Sequence, residues 1–190
     1  MIDTLYDQFK RWSEKGSVYI ISDTHFDDSD RLYMGYKISE DEQIKYIKKY
    51  CSKNDTLIHL GDVGNPEYMK YIKSYKVLIM GNHDETTSKF KDYFDEIYTG
   101  PLIIAEKLIL SHEPIFMKSC TTGNNIIFNI HGHDHSGSFI DSNHLNIVQN
   151  IYGYYPLHLQ NWIRTGALKN VKSIHRETID TAAKKKRKVK

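Results

Sequence analysis

The feature that most constrains the fold is a series of six short apolar runs spread along the chain. They cover residues 17–22, 56–60, 76–80, 102–105, 107–111 and 126–131. Segments with helical spacing near 39–50, 67–75 and 86–94 separate the first runs, whereas the last runs follow one another with Gly and Asn turns. Strands that alternate with helices and then follow one another predict an α/β fold whose sheet turns antiparallel in its second half.

Helical patterns also occur at both ends of the chain. Apolar residues recur at helical spacing before Gly16 and predict an amphipathic helix that packs on the body; they are Ile2, Leu5, Tyr6, Phe9 and Trp12. Ser39 and Glu42 form a capping-box pattern at the start of the helix near 39–50. Residues 159–183 carry no chemical motif, and we expect them to pack across the body as a helix.

Residue types that bind metals directly follow five of the six runs. The segments are Asp23-Thr24-His25, Gly61-Asp62, Gly81-Asn82-His83-Asp84, His112 and His131-Gly132-His133-Asp134-His135. Side chains at the carboxyl ends of neighbouring strands converge on one crevice, so we expect these residues to lie together. Asp23 and His25, like His133 and His135, are two positions apart and can point the same way from an extended segment.

The surroundings of these segments suit a metal site. The chain has ten histidines but only two cysteines. Gly61, Gly81 and Gly132 each immediately precede a candidate ligand. A tight turn with positive φ at these glycines would let the backbone approach an ion closely.

In this order, the segments resemble the motif set of the calcineurin-like metallophosphoesterase superfamily: DxH, GD, GNH, a later lone His and GHxH. The resemblance covers about residues 17–150, and the length of the chain is similar to that of small prokaryotic and phage-type members. It implies an α/β fold of the metallophosphoesterase type, a β-sandwich of mixed sheets flanked by helices. We expect a single domain over 1–183 and a basic C-terminal tail over 184–190.

The resemblance also implies a centre of two divalent metal ions. Asp23, His25 and His135 would hold the first ion, Asn82, His112 and His133 the second, and the carboxylate of Asp62 would bridge both. A set of imidazoles, carboxylates and one amide without a thiolate suits Mn, Fe, Zn, Co or Ni, and we expect Mn.

The reaction implied by this centre is hydrolysis of a phosphate ester, and we expect a phosphodiester derived from a nucleotide or nucleic acid. A hydroxide that bridges the two metals would attack phosphorus in line. His83 corresponds to the family's catalytic histidine that is not a ligand, and it would protonate or stabilise the leaving oxygen, so Asp62 and His83 are the catalytic candidates. Asp84 either orients His83 or forms a hydrogen bond within its own turn.

The loop over 26–39 follows His25 directly and is the most distinctive loop of the chain. Many small relatives carry Gly-His where this chain has Asp27 and Asp28, so substrate contacts must come from elsewhere. Arg31, Tyr33 and Tyr36 are candidates, with Arg31 as a fork for phosphate; the alternative is a solvated loop with packed tyrosines. The tyrosines of 151–157 suit either base stacking or a turn packed on the core.

The other histidines have simpler interpretations. His59 and His131 lie inside apolar runs, so we expect satisfied core histidines or groups that support the ligands. His144, His158 and His175 have no partner at metal-binding spacing and are expected at the surface or in packing contacts. Glu113, which follows His112, either supports the metal site or makes a turn hydrogen bond.

The net charge of +2 combines two opposite parts. Six of the seven residues over 184–190 are basic, whereas 1–183 holds 20 basic and 24 acidic residues, a net charge of −4. A body of this sign does not bind polyanions generally, so nucleic-acid affinity would come from a local patch or the tail. The tail suits a nuclear import signal, a nucleic-acid arm or the charged end of a solvated helix.

The cysteines and the N-terminal segment indicate the compartment. Cys51 and Cys120 are isolated and form neither a disulfide framework nor a CxxC pair, which favours the cytoplasm. The N-terminus lacks an apolar leader, and no stretch approaches the roughly 18 apolar residues of a membrane span. Two other functions stay open: a non-catalytic binding scaffold of the same fold, and a nuclease aided by the basic tail.

Overall fold

The computed structural model describes residues 6–14, 16–105, 107–116, 128–138 and 142–171. Within these residues nine strands form two sheets. They are β1 (Val18–Ile21), β2 (Thr56–His59), β3 (Tyr75–Ile79), β4 (Glu96–Tyr98), β5 (Leu102–Ala105), β6 (Leu108–Leu110), β7 (Phe128–His131), β8 (His144–Asn146) and β9 (Leu157–His158). The helices are α1 (Tyr6–Glu14), α2 (Glu40–Tyr50), α3 (Thr87–Phe90), α4 (Gln149–Tyr152) and α5 (Leu159–Arg164), with a 3₁₀ helix over Pro66–Tyr71.

The first sheet has the order β4-β3-β2-β1-β9. Strands β1 to β4 pair in parallel, with Val18 opposite Thr56 and Thr56 opposite Tyr75, and β9 pairs antiparallel to β1. Because parallel strands end at the same edge, the segments that follow β1, β2 and β3 emerge side by side. The bounds of β1, β2 and β3 agree with the predicted strands 17–22, 56–60 and 76–80 within about one residue at each end.

The second sheet has the order β5-β6-β7-β8 and corrects one expectation. The chain does not continue one sheet that turns antiparallel: only β5 and β6 pair antiparallel, whereas β6-β7 and β7-β8 are parallel. The connections explain the difference. Two residues join β5 to β6, which suits a hairpin, but the long segments 111–127 and 132–143 allow the crossovers that parallel pairing requires.

The larger core lies between the two sheets. It joins Val18, Ile20 and Ile58 of the first sheet to Leu108 and Ile130 of the second. A second core covers the outer face of the first sheet, where Ile44 and Ile47 of α2 pack with Met69 and Phe90. The protein is thus a sandwich of two mixed sheets flanked by helices, as expected, and the sheets bring two sets of strand ends together.

The helices differ from the sequence patterns mainly in length. The capping box of α2 is present: Ser39 Oγ accepts from the Glu42 amide, and Glu42 accepts from the Ser39 amide. The segment near 67–75 is a 3₁₀ helix, and that near 86–94 keeps only the short α3. The helix predicted over 159–183 is present only as α5 among the described residues, since 172–183 lies outside them.

The amphipathic helix predicted before Gly16 is only partly described. In α1, Phe9 and Trp12 pack on the core between the sheets, as predicted. Ile2 and Leu5 lie outside the described residues, as do Cys120, His175 and the basic tail, and the side chain of Tyr6 is not described. Among the described residues no helix is long and apolar enough to cross a membrane.

Candidate metal centre

Backbone hydrogen bonds hold the loops at the strand ends against one another. The amides of Asp23 and His25 donate to the carbonyls of Gly61 (2.9 Å) and Asp62 (3.0 Å). The amide of Gly132 donates to the carbonyl of His112 (2.8 Å) in the loops of the second sheet. The His133 amide then reaches across to the Asp23 carboxylate, 3.2 Å from Oδ1 and 3.1 Å from Oδ2. Loops of both sheets therefore meet at one place.

The first group of candidate ligands consists of Asp23, His25 and His135. One ligand atom from each lies within 4.8 Å of the others. Asp23 Oδ1 is 3.6 Å from His135 Nε2 and 4.0 Å from His25 Nε2. Asp23 and His25 are buried, and His135 is half-buried. The structure brings these three residues together as the sequence predicts.

The second group lies beside the first and consists of Asp62, His112 and His133, again with ligand atoms within 4.8 Å. Asn82 adjoins it: its Oδ1 is 2.8 Å from His112 Nε2 and 3.0 Å from His133 Nδ1. Asp62 and His112 are buried, whereas Asn82 and His133 are exposed. The second group is therefore open on one side.

Asp62 stands between the two groups. Its Oδ2 lies 3.3 Å from His112 Nε2 in the second group and 3.7 Å from His25 Nε2 in the first. Its other oxygen, Oδ1, accepts a hydrogen bond from the amide of His83 at 2.9 Å. One carboxylate oxygen thus faces ligand nitrogens of both groups, which is the position a shared ligand requires.

Three imidazoles are oriented through their Nδ1 atoms. His112 Nδ1 lies 2.9 Å from the Leu60 carbonyl, His25 Nδ1 lies 2.9 Å from Asp28 Oδ2, and His135 Nδ1 lies 3.1 Å from Asn150 Oδ1. A carbonyl or carboxylate can only accept, so the Nδ1 atoms of His112 and His25 carry the proton. The Nε2 atoms of these two rings then face the site, where each can bind a cation.

Asp28 and Asn150 are supporting residues that the sequence interpretation missed. Asp28 stands in a position considered only for a lost substrate contact, although its spacing of three residues from His25 could have suggested this bond. Asn150 is fifteen residues from His135, and nothing in the local sequence signals the contact.

The buried atoms of the site fit a divalent cation. Nε2 of His25 is buried and has no hydrogen-bond partner among the described residues. Such an atom costs free energy unless another partner satisfies it. The donor set consists of imidazole nitrogen, carboxylate oxygen and amide oxygen, which suits the ions named above. These residues could therefore hold two such ions.

The electrostatics of the second group favour charge separation between Asp62 and His112. Burial would raise the pKa of Asp62, but the hydrogen bond and charge of His112 outweigh it and lower the pKa to about 2. Burial would lower the pKa of His112, but its bond to Asp62 and the charges of Asp23 and Asp62 raise it to about 9. Without a cation, a proton on His112 offsets the charge of Asp62.

The first group shows the opposite tendency. Burial raises the pKa of Asp23 to about 7. Burial also lowers the pKa values of His25 and His135, which favours neutral imidazoles. Neutral imidazole is the form that binds a metal, and a cation beside Asp23 would restore its negative charge.

Backbone strain is concentrated on the candidate ligands themselves. Asp23, His25, Asp62 and His133 have φ of 52°, 44°, 56° and 68°, a region that residues other than glycine rarely adopt. Strain of this kind is common at functional sites, where the surrounding structure maintains it.

Of the three glycines predicted to have positive φ, only Gly61 does, with φ of 97°. Gly81 and Gly132 do not have positive φ, and the reason for glycine there is close packing. A Cβ at Gly81 would collide with Asp62 Oδ1, and one at Gly132 would collide with the side chains of Ser22 and Asp23.

His83 and Asp84 follow Asn82 but face different surroundings. His83 is exposed at the open side of the site, with its ring centroid 5.6 Å from that of His25. Asp84 is buried and binds backbone: Oδ2 accepts from the amides of Gly81 and Asp62, both at 2.9 Å, and Oδ1 accepts from that of Val63 at 3.1 Å. The bond to Gly81 supports the hydrogen bond within its own turn, and the bonds to Asp62 and Val63 also join that turn to the loop after β2.

The loop over 26–39 contradicts one predicted substrate contact. Arg31 is only 7% exposed, and its guanidinium bonds to protein acceptors, so it does not offer a fork to phosphate. Tyr36 is also buried, whereas Tyr33 is 89% exposed and stays a prediction as a substrate contact. Tyr154, in the turn after α4, accepts a hydrogen bond from the Lys37 amide (2.8 Å). This contact favours the packed turn for 151–157.

The remaining histidines support the fold. His59 Nε2 lies 2.9 Å from Thr24 Oγ1, its Nδ1 accepts from the Gly61 amide, and burial lowers its pKa to about 3. It stays neutral and links two ligand loops. His131 is buried with Nδ1 2.8 Å from the Gly132 carbonyl, and His144 is half-buried. His158 caps α5, and Glu113 is exposed.

Fold and site together define an α/β protein with two adjoining groups of candidate metal ligands at the carboxyl ends of its strands. The model of the calcineurin-like phosphoesterase superfamily domain matches residues 17–149. The chain therefore belongs to the calcineurin-like phosphoesterase superfamily, which confirms the resemblance of its motifs and implies a hydrolase.

Two solved structures are similar to the chain. A protein of unknown function from Aquifex aeolicus shares 26% identity and a TM-score of 0.59, with 78% of this chain and 98% of that chain covered. The nuclease MPE from Pseudomonas putida shares 18% identity and a TM-score of 0.42, with 61% of this chain and 60% of that chain covered. No curated protein matches the chain significantly.

Proposed function

We propose that the protein is a phosphoesterase that depends on two divalent metal ions and hydrolyses a phosphodiester. The observation that carries the proposal is the position of Asp62, whose Oδ2 lies 3.3 Å from His112 Nε2 and 3.7 Å from His25 Nε2. Two neighbouring cations repel each other strongly and need a shared anion between them. The two distances support Asp62 as that anion.

The proposed ligands divide into the two groups described above. Asp23, His25 and His135 would hold one ion, Asn82, His112 and His133 the other, and Asp62 both. When bound, the cations would neutralise charge on the phosphoryl oxygens and favour loss of a proton from water near neutral pH. The ligand chemistry suits Mn²⁺ as the ion to test first.

The open side of the second group provides room for the substrate. A cleft of about 310 Å³ adjoins Asn82 and His112 and is bounded by Thr99, Pro101 and Ile115 among others. The described residues that line it include no Lys or Arg. A phosphomonoester carries a charge of about −1.5 to −2 at neutral pH, more than a diester. A lining without Lys or Arg therefore favours the diester.

His83 is the proposed proton donor for the leaving oxygen. Its backbone amide is fixed by Asp62 Oδ1, and its ring is exposed beside the site and near the His25 ring. An exposed imidazole can exchange its proton with solvent between turnovers. A positioned imidazole of this kind contributes about 10²–10⁴-fold to a rate.

The proposal is tested by loading the full chain with Mn²⁺, measuring bound metal, and assaying matched aryl phosphodiester and phosphomonoester substrates. We expect two ions per chain and faster hydrolysis of the diester. Asp62→Asn should lose activity and bound metal, whereas Asp30→Asn, an exposed residue of the loop over 26–39, should retain both.

A chain that binds no metal and stays inert after loading would support the binding scaffold instead. Faster hydrolysis of the monoester would overturn the diester preference alone.

We also propose a cytoplasmic location and a substrate derived from a nucleotide or nucleic acid. The buried, free thiol of Cys51 supports a reducing compartment. Cell fractionation tests the location, and hydrolysis of a dinucleotide by the loaded protein tests the substrate class.

A further inference from the structure

We propose that Arg31 and Tyr36 are positioning residues that hold the ligand segment Asp23–His25 in the conformation that binds the first metal ion. The inference rests on the proposed function and adds two residues of the loop over 26–39 to it. Their role is to bind the backbone of the ligand segment rather than substrate or metal.

The two side chains bind three successive backbone carbonyls of the ligand segment. The Tyr36 hydroxyl donates to the carbonyl of Asp23. Nη1 of Arg31 donates to the carbonyl of Thr24 and reaches that of His25 at 3.4 Å. Arg31 and Tyr36 are both buried, so water does not compete freely for these bonds.

The conformation of the ligand segment explains why such donors are needed. Asp23 and His25 have φ of 52° and 44°, so the chain leaves the β1 ladder as soon as the strand ends. The His25 carbonyl also accepts from the Asp28 amide (3.1 Å), but no backbone amide is bonded to the carbonyls of Asp23 and Thr24 among the described residues. A buried carbonyl without a partner is costly. Tyr36 and Arg31 supply donors to these two carbonyls and thereby stabilise the strained conformation.

The guanidinium is itself anchored to the start of α2. Nη1 and Nη2 each lie 3.2 Å from Gln43 Oε1, Nη2 donates to the carbonyl of Ile38 (3.2 Å), and Nε lies 3.2 Å from Glu40 Oε1. The guanidinium carbon lies 4.4 Å from the centre of the Tyr36 ring. Because α2 packs on the first sheet through Ile44 and Ile47, the ligand segment is tied to a helix fixed in the core.

The contacts are specific to one of the two ligand groups. Arg31 and Tyr36 bind the segment that supplies Asp23 and His25, whereas the second group comes from the loops after β2, β3, β6 and β7. Loss of the contacts made by Arg31 and Tyr36 should therefore weaken binding of the first ion more than binding of the second. A lysine in place of Arg31 keeps the charge but cannot reach several acceptors with a planar fork.

The test compares Arg31→Lys, Tyr36→Phe and a control, Arg164→Lys, whose arginine lies on α5 and bonds to Asn161. Titration with Mn²⁺ is followed by calorimetry and by electron paramagnetic resonance, which detects the coupling of two neighbouring Mn²⁺ ions. We expect affinity for one ion to fall about 10–100-fold in both variants, with loss of the coupled signal and retention of the other ion. The control should match the wild type.

A second measurement needs no metal. Hydrogen exchange of the Asp23 and His25 amides in the metal-free protein should accelerate in both variants, although the amides of β1 stay protected. Tyr36→Phe keeps the ring and removes only the hydroxyl, so it remains informative if Arg31→Lys folds poorly.

Unchanged affinity and exchange in both variants, or an equal loss of both ions, would overturn the positioning role. A wild-type chain that binds no Mn²⁺ would overturn the proposed function instead. The exchange measurement would still test whether Arg31 and Tyr36 hold the ligand segment.

Discussion

At the scale of single residues, the site depends on side chains that hold the candidate ligands as much as on the ligands. His25 offers Nε2 to the site because Asp28 holds its Nδ1, and His112 does so because the Leu60 carbonyl holds its Nδ1. Partners of this kind fix the tautomer and the ring direction. They also restrict rotation of the imidazole before a metal binds, so that less side-chain entropy is lost on binding.

Asp28→Ala tests this orientation. The substitution removes the acceptor for His25 Nδ1, which lies 2.9 Å from Asp28 Oδ2. We expect Mn²⁺ affinity to fall about 10–100-fold, since the ring can rotate or change tautomer. Calorimetric titration checks the result. Asp30→Ala, an exposed neighbour in the same loop, is the matched control and should bind as the wild type does.

His83→Ala tests the proton donor. Its ring is exposed beside the site but belongs to neither group of candidate ligands. We expect kcat to fall by about 10²–10⁴-fold with metal content retained, because a donor is lost but no ligand is. Bound Mn²⁺ and kcat, measured on the same sample, distinguish loss of a proton donor from loss of a ligand. Loss of metal in this variant would mean that His83 is a ligand.

At the scale of elements, the turns that follow the strands must pass extremely close to one another. Gly132 follows β7 and lies against Ser22 and Asp23, which follow β1 of the other sheet. This contact joins the two sheets at the site. A side chain at Gly132 would separate the loops that supply the first group of ligands.

Gly132→Ala should therefore be costly, whereas Gly100→Ala should not. A Cβ at Gly132 collides with Ser22 Oγ and Asp23 Oδ2, but one at Gly100 meets no atom within 4 Å. We expect a loss of about 1–3 kcal/mol in the free energy of unfolding for Gly132→Ala, together with weaker Mn²⁺ binding. Gly100→Ala should stay within about 0.5 kcal/mol of the wild type in urea unfolding.

Another contact between elements joins α1 to the first sheet through Glu96 of β4. Its carboxylate accepts hydrogen bonds from Trp12 Nε1 (3.0 Å), Tyr75 (2.8 Å) and Tyr98 (2.6 Å), and it pairs with Arg11. Burial would raise the pKa of Glu96, but the bonds from Tyr98, Trp12 and Tyr75 and the charge of Arg11 outweigh it, so the pKa lies below its usual value of 4.5.

Glu96→Gln should reduce stability in a manner that depends on pH. A carboxyl group with a lowered pKa in the folded state stabilises the fold above its unfolded pKa, and this stabilisation is lost as the pH falls through the folded value. We expect a loss of about 1–3 kcal/mol at pH 7 and a smaller difference from the wild type below about pH 4.5.

Urea unfolding at several pH values measures this difference. Glu67→Gln removes an exposed carboxylate paired with Lys70 and should change stability by less than about 1 kcal/mol at any of them. An equal effect of both substitutions at pH 7 would contradict the assigned role of Glu96.

At the scale of the whole molecule, the core between the sheets joins the two ends of the described chain. Trp12 of α1 and Val171, near the end of the described residues, both belong to the cluster between the sheets. This continuity supports the proposal that 1–183 forms a single domain. The basic tail over 184–190 then adds charge beyond that domain.

Removal of 184–190 should separate catalysis from polyanion binding. Residues 1–183 carry a net charge of −4, so affinity for duplex DNA should fall on truncation and its dependence on salt should weaken. Hydrolysis of a small aryl diester should not change. Filter binding at several salt concentrations and the aryl assay test both. Unchanged DNA affinity would place a basic patch on the domain instead.

Much of the molecule can be predicted from local sequence. The strands β1, β2, β3, β5, β6 and β7 and the capping box of α2 follow from patterns that neighbouring residues complete. The short strands β4, β8 and β9 escape prediction because partner strands, rather than their own composition, stabilise them. The buried position of Arg31 escapes prediction for a similar reason: its acceptors are backbone carbonyls and the side chains of Glu40 and Gln43, and no sequence pattern shows that these surround it.

The sequence by itself determined which residue types follow each strand and, through their order, the family to which the chain belongs. Only the tertiary structure decided that these residues come from two sheets, that Asp62 lies between the groups, and that Asp28 and Asn150 orient the imidazoles. The physical reason is the range of the interactions. Periodicity and capping act within a few residues, whereas ligand geometry depends on contacts between segments far apart in the chain.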